Sequence, residues 1–316
     1  MDPIDAVICW VDNQDPSWQA AFAQYKHEAN ESTATHAARF NNADELRYCL
    51  RSMRLYLPWL RKVWVITMQQ RPAWWIESSY ATLVSHGDIM PASALPTFNS
   101  LAIETCMHRI PGLSERFIYL NDDFFFGRPV PEACFFNKQI MVLPWHEKHV
   151  LPPAPRNVYE DVLFHTGMVL AQTFGIQPAA QVFYRPWHHA MPKTIRACQR
   201  TWELFPNLME ATCHGKFRER TQLLHYMVNY VALLEHAAVI KPGLMTYKFY
   251  NSDREWAPDK NLPLPHLLCI NDITDTEGFA VWAQVNFYTS SPAEPRVTAS
   301  NINVTRPIYR RKKYIK

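Results

Sequence analysis

An α/β protein is what this sequence predicts: a mostly parallel sheet with flanking helices, plus a helical lobe. Short apolar, β-branched runs alternate with amphipathic helical stretches through the first third of the chain, the order that a parallel sheet covered by helices requires. Ile4 to Val11 reads as a buried strand that ends at Asp12. Residues 13–42 are polar and irregular, with only weak helical stretches. Leu46, Leu50, Met53 and Leu57 share one face of a helix over Ala43–Leu57, which Asn42 can cap and Pro58 stops. Lys62 to Met68 is a second strand, Ala73–Tyr80 a short helix after Pro72, and Ala81–Ser85 a third strand. Ser100–Ile110 reads as a helix and Arg116–Asn121 as a strong strand. Beyond them, Ile140–Leu143 is a further strand. Glu160–Phe174, Thr194–Leu204 and Thr221–Glu235 read as helices, and Leu267–Ile270 as a short run that returns to the sheet. Pro-rich stretches at 152–155 and 258–265 mark loops or hinges. The expected division is an α/β core over residues 1–145, a mainly helical lobe over 146–265, and a segment over 266–316 that closes back on the core and ends in a basic tail.

Composition narrows the function. The 316 residues are 48% hydrophobic and 19% charged, an ordinary globular balance, and a net charge of +3 is too small for a nucleic-acid footprint. Only 8 residues are glycine, and there is no GxxxxGK[ST], GxGxxG or GxSxG. A P-loop NTPase, a Rossmann dehydrogenase and an α/β-hydrolase are thereby disfavoured, and a bound phosphate must be held by side chains or metal. Seven scattered cysteines without a CxxC read as small buried hydrophobes, not as a disulfide or zinc framework. With no leader-like opening and no run of 18 apolar residues, the expected location is cytoplasmic. Arg306, Arg310, Arg311, Lys312, Lys313 and Lys316 crowd the last residues. Two readings of them stand: a solvated tail, or a peripheral contact with the anionic inner membrane worth about 1 kcal/mol per basic residue.

Several side chains could carry chemistry. Asp122 and Asp123 follow the strand RFIYLN directly, and Asp12 follows the first strand. Ligands of open α/β sheets bind beyond the carboxyl ends of strands, so these acids share one rim. They are either a polar turn or oxygen ligands for a hard divalent cation. Arg47 and Arg51, at i and i+4, share a helix face: either solvated, or a bidentate fork for a phosphate. His188 and His189, in YRPWHHAMPK, are either structural or the source of a general base. FRER (217–220) offers another cationic site, and HEKH (146–149) lacks the HExxH zinc spacing and reads as a loop.

Together these segments resemble the Stealth family of sugar-phosphate transferases. IDAVICWVDNQDPSW (4–18) is similar to its first block. ARFNNADELRYCLRSMRLYLPWLRKVWVITMQQRPAWW (38–75) and LPTFNSLAIETCMHRIPGLSERFIYLNDDFFFGRPV (95–130) are similar to its second. WHHAMPK (187–193) with FPNLMEATCHGKFRER (205–220) is similar to the third, and LLCINDITD (267–275) to the fourth. Cys49 departs from the family's usual serine, and Met68-Gln69-Gln70 from its usual turn. The family includes bacterial capsule polymerases and the catalytic subunit of GlcNAc-1-phosphotransferase. The resemblance implies that a hexose-1-phosphate, most often GlcNAc-1-phosphate, moves from a UDP-sugar to a hydroxyl of an oligosaccharide or polysaccharide acceptor. UMP is released, and the product belongs to capsule or exopolysaccharide synthesis. It implies His188 as general base, with His189 as the alternative, and Arg218 and Arg47 as the diphosphate clamp, beside Arg51. Asn121, Asp122 and Asp123 would form the donor and metal site, catalytic Asp123 included. Mg²⁺ or Mn²⁺ would be bound, with Asn271 and Asp272 completing its shell. Trp10 and Asp12 would line the nucleotide end, and His189 and Lys193 the substrate site. The competing readings are a conventional metal-dependent glycosyltransferase releasing UDP and a non-catalytic carbohydrate-binding assembly protein.

Overall fold

The computed structural model describes residues 2–30, 32–36, 39–145, 148–150, 158–175, 182–184, 188–251, 263–271, 273 and 275–287. In chain order, the first strand is β1 (Ile4–Cys9), followed by helices α1 (Pro16–Tyr25) and α2 (Glu45–Tyr56). Strands β2 (Leu60–Thr67) and β3 (Ala81–Ser85) precede α3 (His86–Ile89) and α4 (Ser100–Cys106). Strands β4 (Arg116–Asn121), β5 (Phe124–Phe126), β6 (Phe136–Asn137), β7 (Ile140–Leu143) and β8 (Lys148–Val150) come next. After α5 (Val158–Phe174) come β9 (Val182–Tyr184) and β10 (Met191–Thr194), then α6 (Ile195–Leu204), α7 (Pro206–Cys213) and α8 (Met227–Leu234). Strands β11 (Ala238–Ile240), β12 (Tyr247–Asn251) and β13 (Leu267–Asn271) lead to α9 (Thr276–Asn286).

The main sheet has the order β10-β4-β1-β2-β3. Its first four strands in sequence run parallel, with Cys9 opposite both Ile66 and Asn121, so the carboxyl ends of β1, β2 and β4 make one rim. Only β10 is antiparallel, pairing Met191 with Tyr119 and Thr194 with Arg116. Its first residue therefore lies at the same rim where β4 ends. A second small sheet, β12-β13-β5, hangs from the turn after β4. One apolar core runs from Ile4 to Phe287, and α9 joins it through Phe279 and Phe287, whose rings pack on Phe125.

Buried polar groups tie the sheet together. Asp5, wholly buried on β1, accepts hydrogen bonds from Arg61 Nε (2.8 Å) and Nη2 (2.5 Å), Trp64 Nε1 (2.9 Å) and the Ser114 amide (2.9 Å). It thus joins β1, β2 and the loop that leads into β4. Lys193, wholly buried on β10, donates to the His225 carbonyl (2.8 Å) and to Asn229 Oδ1 (2.9 Å) on α8. Asn229 Nδ2 in turn donates to the Pro192 carbonyl (2.7 Å), so the helix and the edge strand share one polar joint.

Three expectations fail for local reasons. Residues Ala73–Tyr80 form no helix. Trp75 is drawn into the core, while Trp74 Nε1 donates to Asp44 Oδ1, and these tertiary contacts override propensity. The helix expected from Thr221 begins only at Met227, because the Leu223 and Leu224 amides donate to the Thr212 and Thr166 hydroxyls. The run at Leu267–Ile270 pairs with β5 and β12 instead of entering the main sheet. Residues 13–42 also hold a better helix than expected: Asp15 caps α1 by accepting from the Trp18 amide, and Pro16 fills its first position. The α2 cap differs too, since Asp44 occupies it at φ 68° while Asn42 Oδ1 accepts from the Asp44 amide. The loops at 152–155 and 258–262, His146-Glu147 and the basic tail lie outside the described residues.

Replacing Asp5 with Ala leaves the Trp64 indole and the Ser114 amide buried without an acceptor. The expected loss is about 2–4 kcal/mol of unfolding free energy, read from urea denaturation by far-UV circular dichroism. Burial pushes the Lys193 ammonium down to about 8, against the opposing pull of Cys198 and Glu104. The unfolded chain therefore binds the extra proton between about 8 and the ordinary 10.5, so this group's contribution to stability rises with pH through that window. The melting temperature of the wild type minus that of Lys193→Met is expected to increase from pH 8 to pH 10.5.

Candidate active site

The rim of the main sheet opens into a cavity of about 610 Å³. Cys9 and Trp10 reach it from the end of β1, Met68 from the end of β2, and Asn121, Asp122 and Asp123 from the turn after β4. His188, just ahead of β10, arrives beside them, with Asn121 Nδ2 donating to His188 Nε2 at 3.3 Å. Phe124 packs edge-on against the imidazole, ring centroids 4.9 Å apart. The ring opens onto the cavity, yet it lies deep in the molecule. Burial, with the positive fields of His189 and Arg218, holds it down at about 4, so the imidazole is neutral near pH 7.

Carboxylates gather beside it. Asp122 is pushed up to about 8 by burial and by neighbouring Asp123. Glu45, buried at the start of α2, is pushed up to about 8 by burial and by Asp122. Three acids that resist joint ionisation are the oxygen-rich, charge-hungry setting that a hard divalent cation satisfies. A second donor set overlaps the first at Asp123: Asp123, His188 and Cys269 bring one ligand atom each within 4.8 Å of one another. There the Cys269 thiol donates to Asp123 Oδ2 at 3.2 Å. Asn271, at the end of β13, completes this side of the cavity, and Asp272 lies outside the described residues.

Arg218 supplies the cation. Its Nη2 donates to Ser100 Oγ (2.9 Å), while its buried Nε–H meets no acceptor among the described residues. The loop that carries it is clamped by Asn99, the cap of α4. Asn99 Nδ2 donates to the Gly215 and Phe217 carbonyls (3.2 and 3.1 Å) and to Gln222 Oε1 (2.9 Å). A Cβ on Gly215 would come within 2.2 Å of Gln222 Nε2, so a larger residue there would displace the Gln222 amide from the clamp. Aromatic rings close the far end of the cavity: Trp10, Trp18, Phe40 and Phe98 line it, and Trp18 stacks on Phe22 at 4.8 Å. The buried indole N–H of Trp10 has no acceptor among the described residues.

A second cavity, of about 530 Å³, lies behind His188. The two share Ser100, Asn121, His188, Arg218 and Asn271 as a common wall.

The other expected site residues are elsewhere. Arg47 pairs with Asp44 (3.5 Å) and lies over Trp74, Arg51 lies over Tyr48, and neither lines either of these two cavities. Helical spacing put them on one face, but that face meets aromatic rings. Lys193 is buried in the β10–α8 joint. His189 is buried, with Nδ1 bonded to the Ala190 carbonyl at 2.7 Å. Asp12 turns its carboxylate onto the Gln14 amide, and its backbone is gripped from both sides by Gln70 (3.1 and 2.6 Å). Gln70, read as a departure from the family turn, thus holds the loop after β1. Glu45, Ser100, Cys269 and the Asn99–Gln222 clamp were not singled out in the sequence. Glu45 alone left a signal there, as the second acid of the DELR segment (44–47).

Residues 39–143 match the family model described as Stealth protein CR2, conserved region 2. The chain is 33% identical over 292 residues to an exopolysaccharide phosphotransferase of Streptomyces coelicolor, an alignment covering 87% of this chain and 52% of that protein. It is 30% identical over 285 residues to the capsular polysaccharide phosphotransferase LcbA of Neisseria meningitidis, covering 85% of this chain and 77% of that protein. The chain therefore spans about half the length of the first relative and about three quarters of the second. Among solved structures, galactosyltransferase LgtC in complex with donor and acceptor sugar analogues is similar over 89% of this chain and 95% of that one. At 9% identity and a TM-score of 0.44 the likeness is too loose to carry an argument. With the second conserved region in place and a relative matched along most of its length, the chain belongs to the Stealth family.

Proposed function

We propose that this protein transfers a sugar 1-phosphate, GlcNAc-1-phosphate foremost, from a UDP-sugar to a sugar hydroxyl, forming a phosphodiester in capsule or exopolysaccharide synthesis. The observation that carries the reading is the common wall of the two cavities. A neutral imidazole and a guanidinium meet there between two spaces large enough for two substrates, and a cluster of carboxylates lines the first of them.

In this reading the donor occupies the first cavity. The nucleotide end lies among Trp10, Trp18, Phe40 and Phe98, and the diphosphate reaches Arg218, whose Nε–H awaits an acceptor. The acceptor oxygen attacks the phosphorus that bears the sugar. The bond from that phosphorus to the bridging oxygen breaks, UMP leaves, and the hydroxyl proton passes to His188. A base that is neutral near pH 7 suits that last task, and Asn121, 3.3 Å from Nε2, positions the ring. Arg218 stabilises charge on the equatorial phosphoryl oxygens. Asp122 and Asp123, with the amide oxygen of Asn271, are the residues that would hold Mg²⁺ or Mn²⁺, which offsets charge on the diphosphate and the leaving group. His188 is left to the proton, because one lone pair cannot serve both metal and acid–base work.

No described helix is long and apolar enough to cross a membrane. We assign the reaction to the cytoplasm, where nucleotide-sugars are made, with the basic residues of 306–316 held at the anionic inner leaflet.

Two outcomes are expected. Purified protein with Mg²⁺, a panel of UDP-sugars and a capsule-type oligosaccharide should release UMP, seen by chromatography, and give a new phosphodiester in the ³¹P NMR spectrum, both abolished by EDTA. Release of UDP without a phosphodiester would make it a conventional glycosyltransferase. His188→Ala should lower kcat by roughly 10²–10⁴ while donor affinity, measured by calorimetry, is kept. Activity within about threefold of the wild type would remove His188 from the base role.

A further inference from the structure

The second cavity is unlike the first. Its walls are Tyr159, Tyr226, Tyr247 and Phe249 together with Leu224 and His225, and its charged groups are Glu104 and Arg218. Glu104 is buried, accepts from Tyr119 Oη at 2.8 Å, and lies in the field of Arg218, so the two charges offset one another. Burial and nearby cations hold His225 well below its ordinary value, so it adds no charge. The chamber is therefore aromatic, rich in hydroxyls and close to neutral overall. Phe249 on β12 is 45% exposed, unusual for so large an apolar side chain, and its ring centroid is 6.3 Å from that of His188. Beside it, Tyr247 donates its hydroxyl to the His188 carbonyl at 2.6 Å.

Resting on the reading of His188 as the base, we infer that this chamber is the acceptor subsite and takes an uncharged pyranose whose apolar face lies on Phe249. A sugar ring has one face of axial C–H groups that packs on an aromatic plane, and hydroxyls around its edge that need partners. Phe249 offers the plane at the mouth. Tyr159 and Tyr226 belong to the same wall. A ring held on Phe249 presents its edge to His188 from the side opposite the donor, which is the approach an in-line displacement needs. Tyr247 links the two functions, because it belongs to the chamber wall and also pins the backbone of the base. A nucleotide diphosphate is a poor fit here, since Asp122 and Asp123, which would hold its metal, line only the first cavity.

The test separates saccharide binding from turnover. Maltotriose and the N-acetylglucosamine trisaccharide are titrated into the intact protein, with and without UMP, by saturation-transfer difference NMR. At least one should bind, with the strongest saturation on ring C–H protons, and saturating UMP should not displace it. Phe249→Ala should weaken that binding about five- to tenfold while UMP affinity stays unchanged, and Phe249→Trp should keep it. Because Phe249 is exposed, neither variant threatens the fold. The inference is overturned if neither trisaccharide binds the wild type, if UMP competes, or if Phe249→Ala binds as well as the wild type. Identification of the released nucleotide is a separate result: UDP in place of UMP would end the sugar-phosphate reading and leave this subsite standing.

Discussion

The direction of one edge strand decides where the chemistry can happen. Four parallel strands deliver their carboxyl ends to a single rim, but a fifth parallel strand would deliver only another carboxyl end. Because β10 runs against β4, its amino end is at that rim, and the residues just ahead of it arrive beside Asn121. His188 is three residues before Met191 and so sits next to the turn that carries Asp122 and Asp123. Residues far apart in sequence meet through backbone register, which is stiffer than any loop contact. Lys193 serves the same end from inside. Its joint with Asn229 holds β10 against α8, so the strand cannot slide and carry the histidine away.

Charge is managed by pairing unlike environments. On one wall Glu45, Asp122 and Asp123 are crowded enough that burial and mutual repulsion push Asp122 and Glu45 toward the neutral form. On the other, Arg218 loses hydration to burial and is partly compensated by Glu104. Neither wall is at rest alone. A ligand with a divalent cation at one end and phosphate oxygens at the other relieves both, which is a stronger statement about substrate than either cluster makes separately. The aromatic far wall adds shape without charge.

Much of this was legible in the chain. The strand–helix alternation, the rim logic for Asp122 and Asp123 though not for Asp12, and the shared cavity of His188 and Arg218 implied by family resemblance describe what the fold brings together. Other features left no signal. Helical spacing shows that Arg47 and Arg51 share a face, but not that Trp74 and Tyr48 already cover it. Nothing local marks Lys193 as buried, since its partners His225 and Asn229 lie more than 30 residues away. The helix expected over Thr221–Tyr226 fails because two threonine hydroxyls from other helices take its amides, a contact that no window of sequence contains. The second cavity draws Tyr159, Tyr226 and Phe249 from three separate elements and is visible only once they are folded together.

Asp5 also sets a timetable. As the chain is made, its carboxylate leaves the ribosome 56 residues ahead of Arg61 and 109 ahead of Ser114. At about 5–20 residues per second, the wait for the second of these is roughly 5–20 s. During that interval β1 can pair with β2 through Arg61 and Trp64, while Asp5 still lacks the Ser114 amide that ties it to the loop before β4.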